Sequence, residues 1–250
     1  MTPESMTAEQ FIAQLDELAT VEHALCVEYL SVHCALGHDR DPGPDASAHE
    51  QAVHHAARAA MNLAMDEMRH LHGVNRALVA ARGEPAVARA DGVGGVPIGR
   101  LGAAELEHLA DRERAIAAAV DAIYQRLCAV LAAQPTLFHD ATLTEVSSLL
   151  DPCPDHSTPL TAVLQPLAGL PPGEYVRARP RDPDPESEEA TLVGGSERAY
   201  RALVPILATW FAHEDDLFQM RSIAIDTMES LNAFNELLVA RGVLPPFGFA

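Results

Sequence analysis

The chain has 250 residues, 48% hydrophobic and only 5% aromatic, enough to bury a large core with residue types that favour helices over strands. Its formal net charge of −19 repels phosphate backbones and anionic lipid, which argues against nucleic-acid and membrane partners. No run of about eighteen apolar residues marks a membrane span, residues 1–10 lack the basic-then-apolar order of a signal peptide, and the cysteines follow no metal-finger spacing, so a cytoplasmic chain with reduced thiols is expected.

The first predicted helix runs from about Thr7 to Leu36 and ends at a turn rich in Asp, Gly and Pro, Gly37 to Pro44. Cys26 and Cys34 lie about two turns apart on it, too far for an unstrained disulfide. A second helix spans about Ser47 to Ala81 and stops at Arg82-Gly83-Glu84-Pro85, in the usual Gly-then-Pro order. The Gly-rich stretch Asp91 to Gly102 carries no phosphate-binding pattern and reads as a connector. A third helix covers about Ala103 to Ala133. A shorter one covers Leu143 to Leu150 and is broken by Asp151-Pro152-Cys153-Pro154. Thr158 to Leu167 predicts another short helical piece. Pro171 to Ser187, dense in Pro, Arg, Asp and Glu, predicts an extended, solvated excursion. Glu197 to Arg241 then predicts one kinked helix or two. No strand signal appears.

The apolar stripes of the long helices are interrupted in a telling way. In the first, Phe11, Leu15, Leu18, Leu25, Tyr29, Val32 and Leu36 keep helical spacing, and the position left over at the centre is Glu22. In the third, Leu106, Ala110, Ala117, Val120, Tyr124, Leu127 and Leu131 leave Glu113 as the exception. In the second, Val53, Ala56, Ala60, Leu63, Val74 and Ala77 leave Glu67 and His70, one turn apart on one face.

An ionised carboxylate in a bundle core costs several kcal/mol unless it is paired. Three helices that each place Glu at mid-seam can solve this by converging on one cation. Helical bundles hold carboxylate metal centres in this way, some helices giving Glu and others Glu-x-x-His. Glu67-Met68-Arg69-His70 is such a pair, and oxygen with imidazole ligands suits iron or manganese. The competing reading neutralises the glutamates with Arg69, Arg112 or Arg114, although these sit off the seams. His23, His33 and His72 neighbour the seams and can hydrogen-bond to ligands. Tyr29 and Tyr124 lie in the seams and can approach the site, and Glu214 sits on a stripe of the last helical region.

Val21-Glu22-His23-Ala24 with Tyr29-Leu30, and Asp66-Glu67-Met68-Arg69-His70-Leu71 leading to Ala80-Ala81-Arg82-Gly83-Glu84-Pro85, resemble the ferritin-like domain of the iminophenylpyruvate dimer synthase family. Ala199-Tyr200 to Leu207 and Ile223 to Met228 are similar to that family's C-terminal helices. The family couples two imino acids in natural-product biosynthesis. The resemblance implies metal ligands at Glu22, Glu67, His70 and Glu113, and it adds His156, in Asp155-His156-Ser157, as the histidine that closes the site. The family's glutamate in that region has no counterpart here. Asp151, Asp155 or Glu214 could stand in for it, so one metal or two stays open.

The expectation is therefore an all-α, ferritin-like up-down four-helix bundle in a single domain. Residues 7–167 form the bundle with the metal site, 168–196 the excursion, and 197–250 C-terminal helices packed on the bundle. The expected function is that of a non-haem metal-dependent oxidoreductase, with iron or another divalent first-row metal such as manganese. It would act on an amino-acid-derived or imino-acid metabolite, with dioxygen a candidate co-substrate and a homo-oligomer an open alternative. A ferritin-like iron-handling ferroxidase and a metal-free helical scaffold are the competing readings.

Overall fold

The computed structural model describes residues 5–37, 42–87, 92–93, 96–97, 105–150, 164–167, 170–179, 181–214 and 217–247, with the side chains of 92–93, 96–97, 105–115 and 172–173 outside that description. Its frame is six helices: α1 (Ala8–Ala35), α2 (Ala48–Arg82), α3 (Glu105–Ala133), α4 (Asp140–Leu150), α5 (Glu188–Ala212) and α6 (Phe218–Val239). The ends of the first two follow from local chemistry. Thr7 with Gln10 and Ser47 with Glu50 each form a reciprocal capping box, which satisfies amide donors that the first helical turn leaves open. Gly83 closes α2 in the left-handed region, at φ 88°, where a side chain would be strained.

The seams read from the sequence become the core. Phe11, Leu15, Leu18, Leu25, Tyr29 and Val32 of α1 are buried, as are Val53, Ala56, Ala60, Val74 and Ala77 of α2 and Val120, Tyr124 and Leu127 of α3. From Val21 to Ala35 every α1 residue except Leu30 is buried, so α1 is covered on all faces there and is the central helix. It packs along α2, and this pair is the shared partner of the rest: α3 and α6 lie against α1, α4 and α5 against α2. The α3 stretch Ile116–Ala133 is long and apolar enough to cross a membrane by composition. Here its apolar seam faces the core, and Tyr124 at its centre is hydrogen-bonded inside the protein.

Several expectations are corrected. Gly92–Val93 and Val96–Pro97 pair as a minute antiparallel hairpin within the Gly-rich connector. Of the Thr158 to Leu167 piece, 158–163 lie outside the described residues and the remainder is helical, Leu164 leading into a 3₁₀ turn at Gln165–Leu167. The segment after Pro171 is a solvated excursion only in its second half, where residues 181–187 are mostly exposed, while its first half packs on the bundle. It opens with one helical turn, Pro172–Tyr175, and Tyr175, Val176 and Ala178 are buried. The amides of Arg177 and Ala178 both donate to Ala35 O, at 2.7 and 3.2 Å, capping a carbonyl at the end of α1. A Cβ at Gly37, where φ is +94°, would lie 2.5 Å from Arg177 Cγ, so this crossing needs glycine. Finally, α5 begins at Glu188 rather than Glu197, and of the two alternatives for the last helical region two helices are found, one ending at Ala212 and the next opening at Phe218.

Candidate metal centre

Glu22 comes from the middle of α1, and Glu67 and His70 from adjacent turns of α2. Because the two helices pack side by side, the three side chains meet between them. Glu22 is 0% and Glu67 4% exposed, while the His70 side chain is 22% exposed, so the cluster is closed toward α1 and open at His70. His70 Nδ1 lies 2.9 Å from Glu67 Oε2 and 3.6 Å from Glu22 Oε2. One donor atom from each residue lies within 4.8 Å of the others, which makes this buried Glu-Glu-His group able to hold a metal ion. Donors bound to one ion at about 2.0–2.2 Å must lie closer than about 4.4 Å to each other, so small side-chain adjustments suffice.

The electrostatics are those of a site short of positive charge. Burial, with the adjacent Glu22 carboxylate adding to it and the His70 hydrogen bond opposing it, pushes Glu67 up to about 7. Burial alone would lower His70. The Glu22 and Glu67 carboxylates outweigh it and raise the imidazole to about 10. Protons thus occupy the site where a cation would neutralise the same charges. Tyr124 of α3 donates its hydroxyl to Glu22 Oε1 at 2.7 Å, which fixes one carboxylate oxygen and leaves the other turned toward His70. Cys26 lies one turn beyond Glu22 on α1. Burial, reinforced by Glu67 and Glu22, pushes its thiol up to about 12, which keeps it protonated and unreactive.

The other expected ligands are placed less completely. The backbone of α3 runs through position 113 as a helix, but the Glu113 side chain lies outside the described residues. His156, Asp151 and Asp155 lie outside them altogether. Glu214 is not in the cluster: it accepts from His72 Nε2 at 2.8 Å and lies 3.6 Å from Arg76 Nε. Arg69 pairs with Asp66 on the exposed side of α2 and not with the buried glutamates. The three flanking histidines serve other contacts: His23 meets the Tyr200 hydroxyl, His33 the Ala57 carbonyl and His72 Glu214.

Sequence reasoning brought Tyr124 near the site through its seam position but assigned it no partner. It gave Cys26 no reactive role, and the i, i+4 spacing from Glu22 was the signal that places this thiol beside the cluster. Among the described residues no second set of three such side chains gathers as closely. Compared with known proteins, the chain matches no family model, no curated protein and no solved structure.

Proposed function

We propose that this chain is a non-haem metal-dependent oxidoreductase of ferritin-like architecture, with iron as its metal and a small organic metabolite as its substrate. The observation that carries the proposal is the convergence of Glu22, Glu67 and His70 from two packed helices, with both carboxylates buried. Hard oxygen donors with a single imidazole suit iron or manganese better than a thiolate-seeking ion. Such a metal, when bound, supplies Lewis-acid and one-electron chemistry at the positions the protein leaves open. The chain's own part is to hold Glu22 through Tyr124 and to keep water from both carboxylates, with His70 partly exposed. Glu113 and His156 complete the proposed ligand set from the sequence. The amino-acid-derived or imino-acid class of substrate, with dioxygen as co-substrate, rests on the motif resemblance alone.

A second reading has its own support. His70 with Glu67 and Tyr124 with Glu22 already form two adjacent hydrogen-bonded pairs, with His70 Nδ1 3.6 Å from Glu22 Oε2, and the raised Glu67 and His70 keep the charges balanced by protons. A metal-free scaffold could use such a network to fix the α1–α2 register.

Elemental analysis separates the two. Protein produced with iron and purified without oxygen should hold at least about one ion per chain, and Glu67→Gln or His70→Ala should lose most of it. Native protein with no stoichiometric metal, still folded, would sink the first reading in favour of the second.

A further inference from the structure

Four of the chain's seven methionines, Met61, Met65, Met68 and Met228, surround a single cavity of about 220 Å³ between α1, α2, α5 and α6. That concentration makes the wall deformable, because an unbranched thioether can repack around ligands of different outline. Met65 is 47% exposed, so the wall reaches the surface on the α2 side. Among the described residues no lysine, arginine, aspartate or glutamate lines the cavity. Its polar lining residues are largely committed to the protein. His23 and Tyr200 meet at 3.0 Å, Asn235 Oδ1 accepts from Ser196, and Asn232 donates to Glu236.

The cavity flanks the candidate metal centre, without Glu22, Glu67 or His70 lining it. In its wall stand Cys26, one turn from Glu22 on α1, and Ala64, within one turn of Glu67 on α2. Two further lining residues, His23 and Met68, are chain neighbours of Glu22 and Glu67. A ligand carboxylate in this space would lose its hydration without meeting a cationic side chain and would sit behind two glutamates. That desolvation costs several kcal/mol. A dry apolar cavity of about 150 Å³ takes a benzene-sized ligand, so this one has room for roughly ten non-hydrogen atoms.

We propose that this cavity is the substrate pocket of the metal centre and takes an uncharged, mainly apolar molecule of roughly ten non-hydrogen atoms. Its role as a substrate pocket rests on the metal-centre reading; its preference for uncharged ligands does not. The proposal is narrower than the class implied by the motif resemblance, because a free imino acid carries a carboxylate that the pocket does not accommodate.

The test uses 1-octanol and octanoate as probes, by calorimetry on metal-free and Co(II)-loaded full-length protein, with metal content measured in parallel. In the metal-free protein 1-octanol should bind at least about tenfold more tightly than octanoate. Ala64→Phe and Met228→Trp, which fill the cavity from α2 and from α6, should each weaken 1-octanol at least about tenfold while metal content holds. Binding should also shift the visible spectrum of the Co(II) form. Failure of 1-octanol to bind native protein, equal binding of octanoate, indifference to both substitutions, or an unchanged Co(II) spectrum each overturns the proposal and leaves the metal centre standing. Octanol binding in a chain that takes up no metal overturns the metal-centre reading, and with it the pocket's role in catalysis.

Discussion

Among the described residues, the Tyr124 hydroxyl is the contact by which α3 enters the Glu22–Glu67–His70 cluster. It donates at 2.7 Å to a carboxylate oxygen in a residue with no solvent exposure, so water cannot take its place. Tyr124→Phe keeps the ring, which is 2% exposed, and removes only the donor. A buried hydrogen bond to a charged acceptor contributes about 1.5–3 kcal/mol, and unfolding by denaturant should show a loss of that order. In the metal-loaded protein the same change should weaken metal affinity about 10–100-fold, as the loss of groups that orient ligands does. A Tyr124→Phe protein with unchanged metal affinity would place the hydroxyl outside the ligand-orienting set. It would leave only its structural role.

At the scale of elements, the two glycines in the first half of α5 are a sharp internal contrast. A Cβ on Gly195 would lie 2.5–2.9 Å from three atoms of the Phe234 ring of α6, whereas one on Gly194 would meet only the flexible Arg198 guanidinium, at 3.2 Å. Gly195→Ala should therefore cost about 1–3 kcal/mol through overpacking. Gly194→Ala should be neutral or stabilising by up to about 1 kcal/mol, since alanine is the better helix former. Thermal unfolding of the two variants side by side checks this, and equal effects would mean that α5 and α6 do not pack as closely as described.

The same glycines explain a gap in what the sequence made legible. Capping residues at Thr7 and Ser47 and the glycine stop at Gly83 made α1 and α2 readable almost to the residue. Gly194-Gly195, by contrast, weakens the helical pattern at the start of α5, whose glycines are there for a tertiary contact. The buried stretch around Val176 was missed for a related reason. Backbone amides hold it to Ala35 O, and composition carries no trace of such bonds. Glu22, Glu67 and His70 were legible because each breaks an apolar stripe. Their approach to Tyr124 and Cys26, and the methionine-lined cavity, depend on how separate helices dock, which no single helical pattern encodes.

For the whole molecule, the cluster couples the central helix α1 to α2 directly and to α3 through Tyr124. A cation held there in the folded state alone stabilises the entire chain by mass action, by about 2.7 kcal/mol at a hundredfold excess over the dissociation constant. Protons compete with it, and the direction of that competition can be worked out. In the metal-free protein Glu67 stands at about 7 against an ordinary 4.5. Its contribution to stability is complete below 4.5 and is lost as pH rises through 7. His70 stands at about 10 against 6.5, so its contribution is complete below 6.5 and is lost as pH rises through 10. Both groups therefore weaken the metal-free fold as pH rises, and the same deprotonation frees the ligands a metal needs. The melting temperature with Mn(II) should exceed that with a chelator by a margin that is small near about pH 5.5 and widens toward about pH 8.5. In Glu67→Gln, whose amide cannot ionise, the margin should shrink at every pH, and the metal-free form should lose less stability between those limits. A native protein whose melting temperature ignores both metal and chelator across the range would mean that protons, not a cation, balance the buried carboxylates.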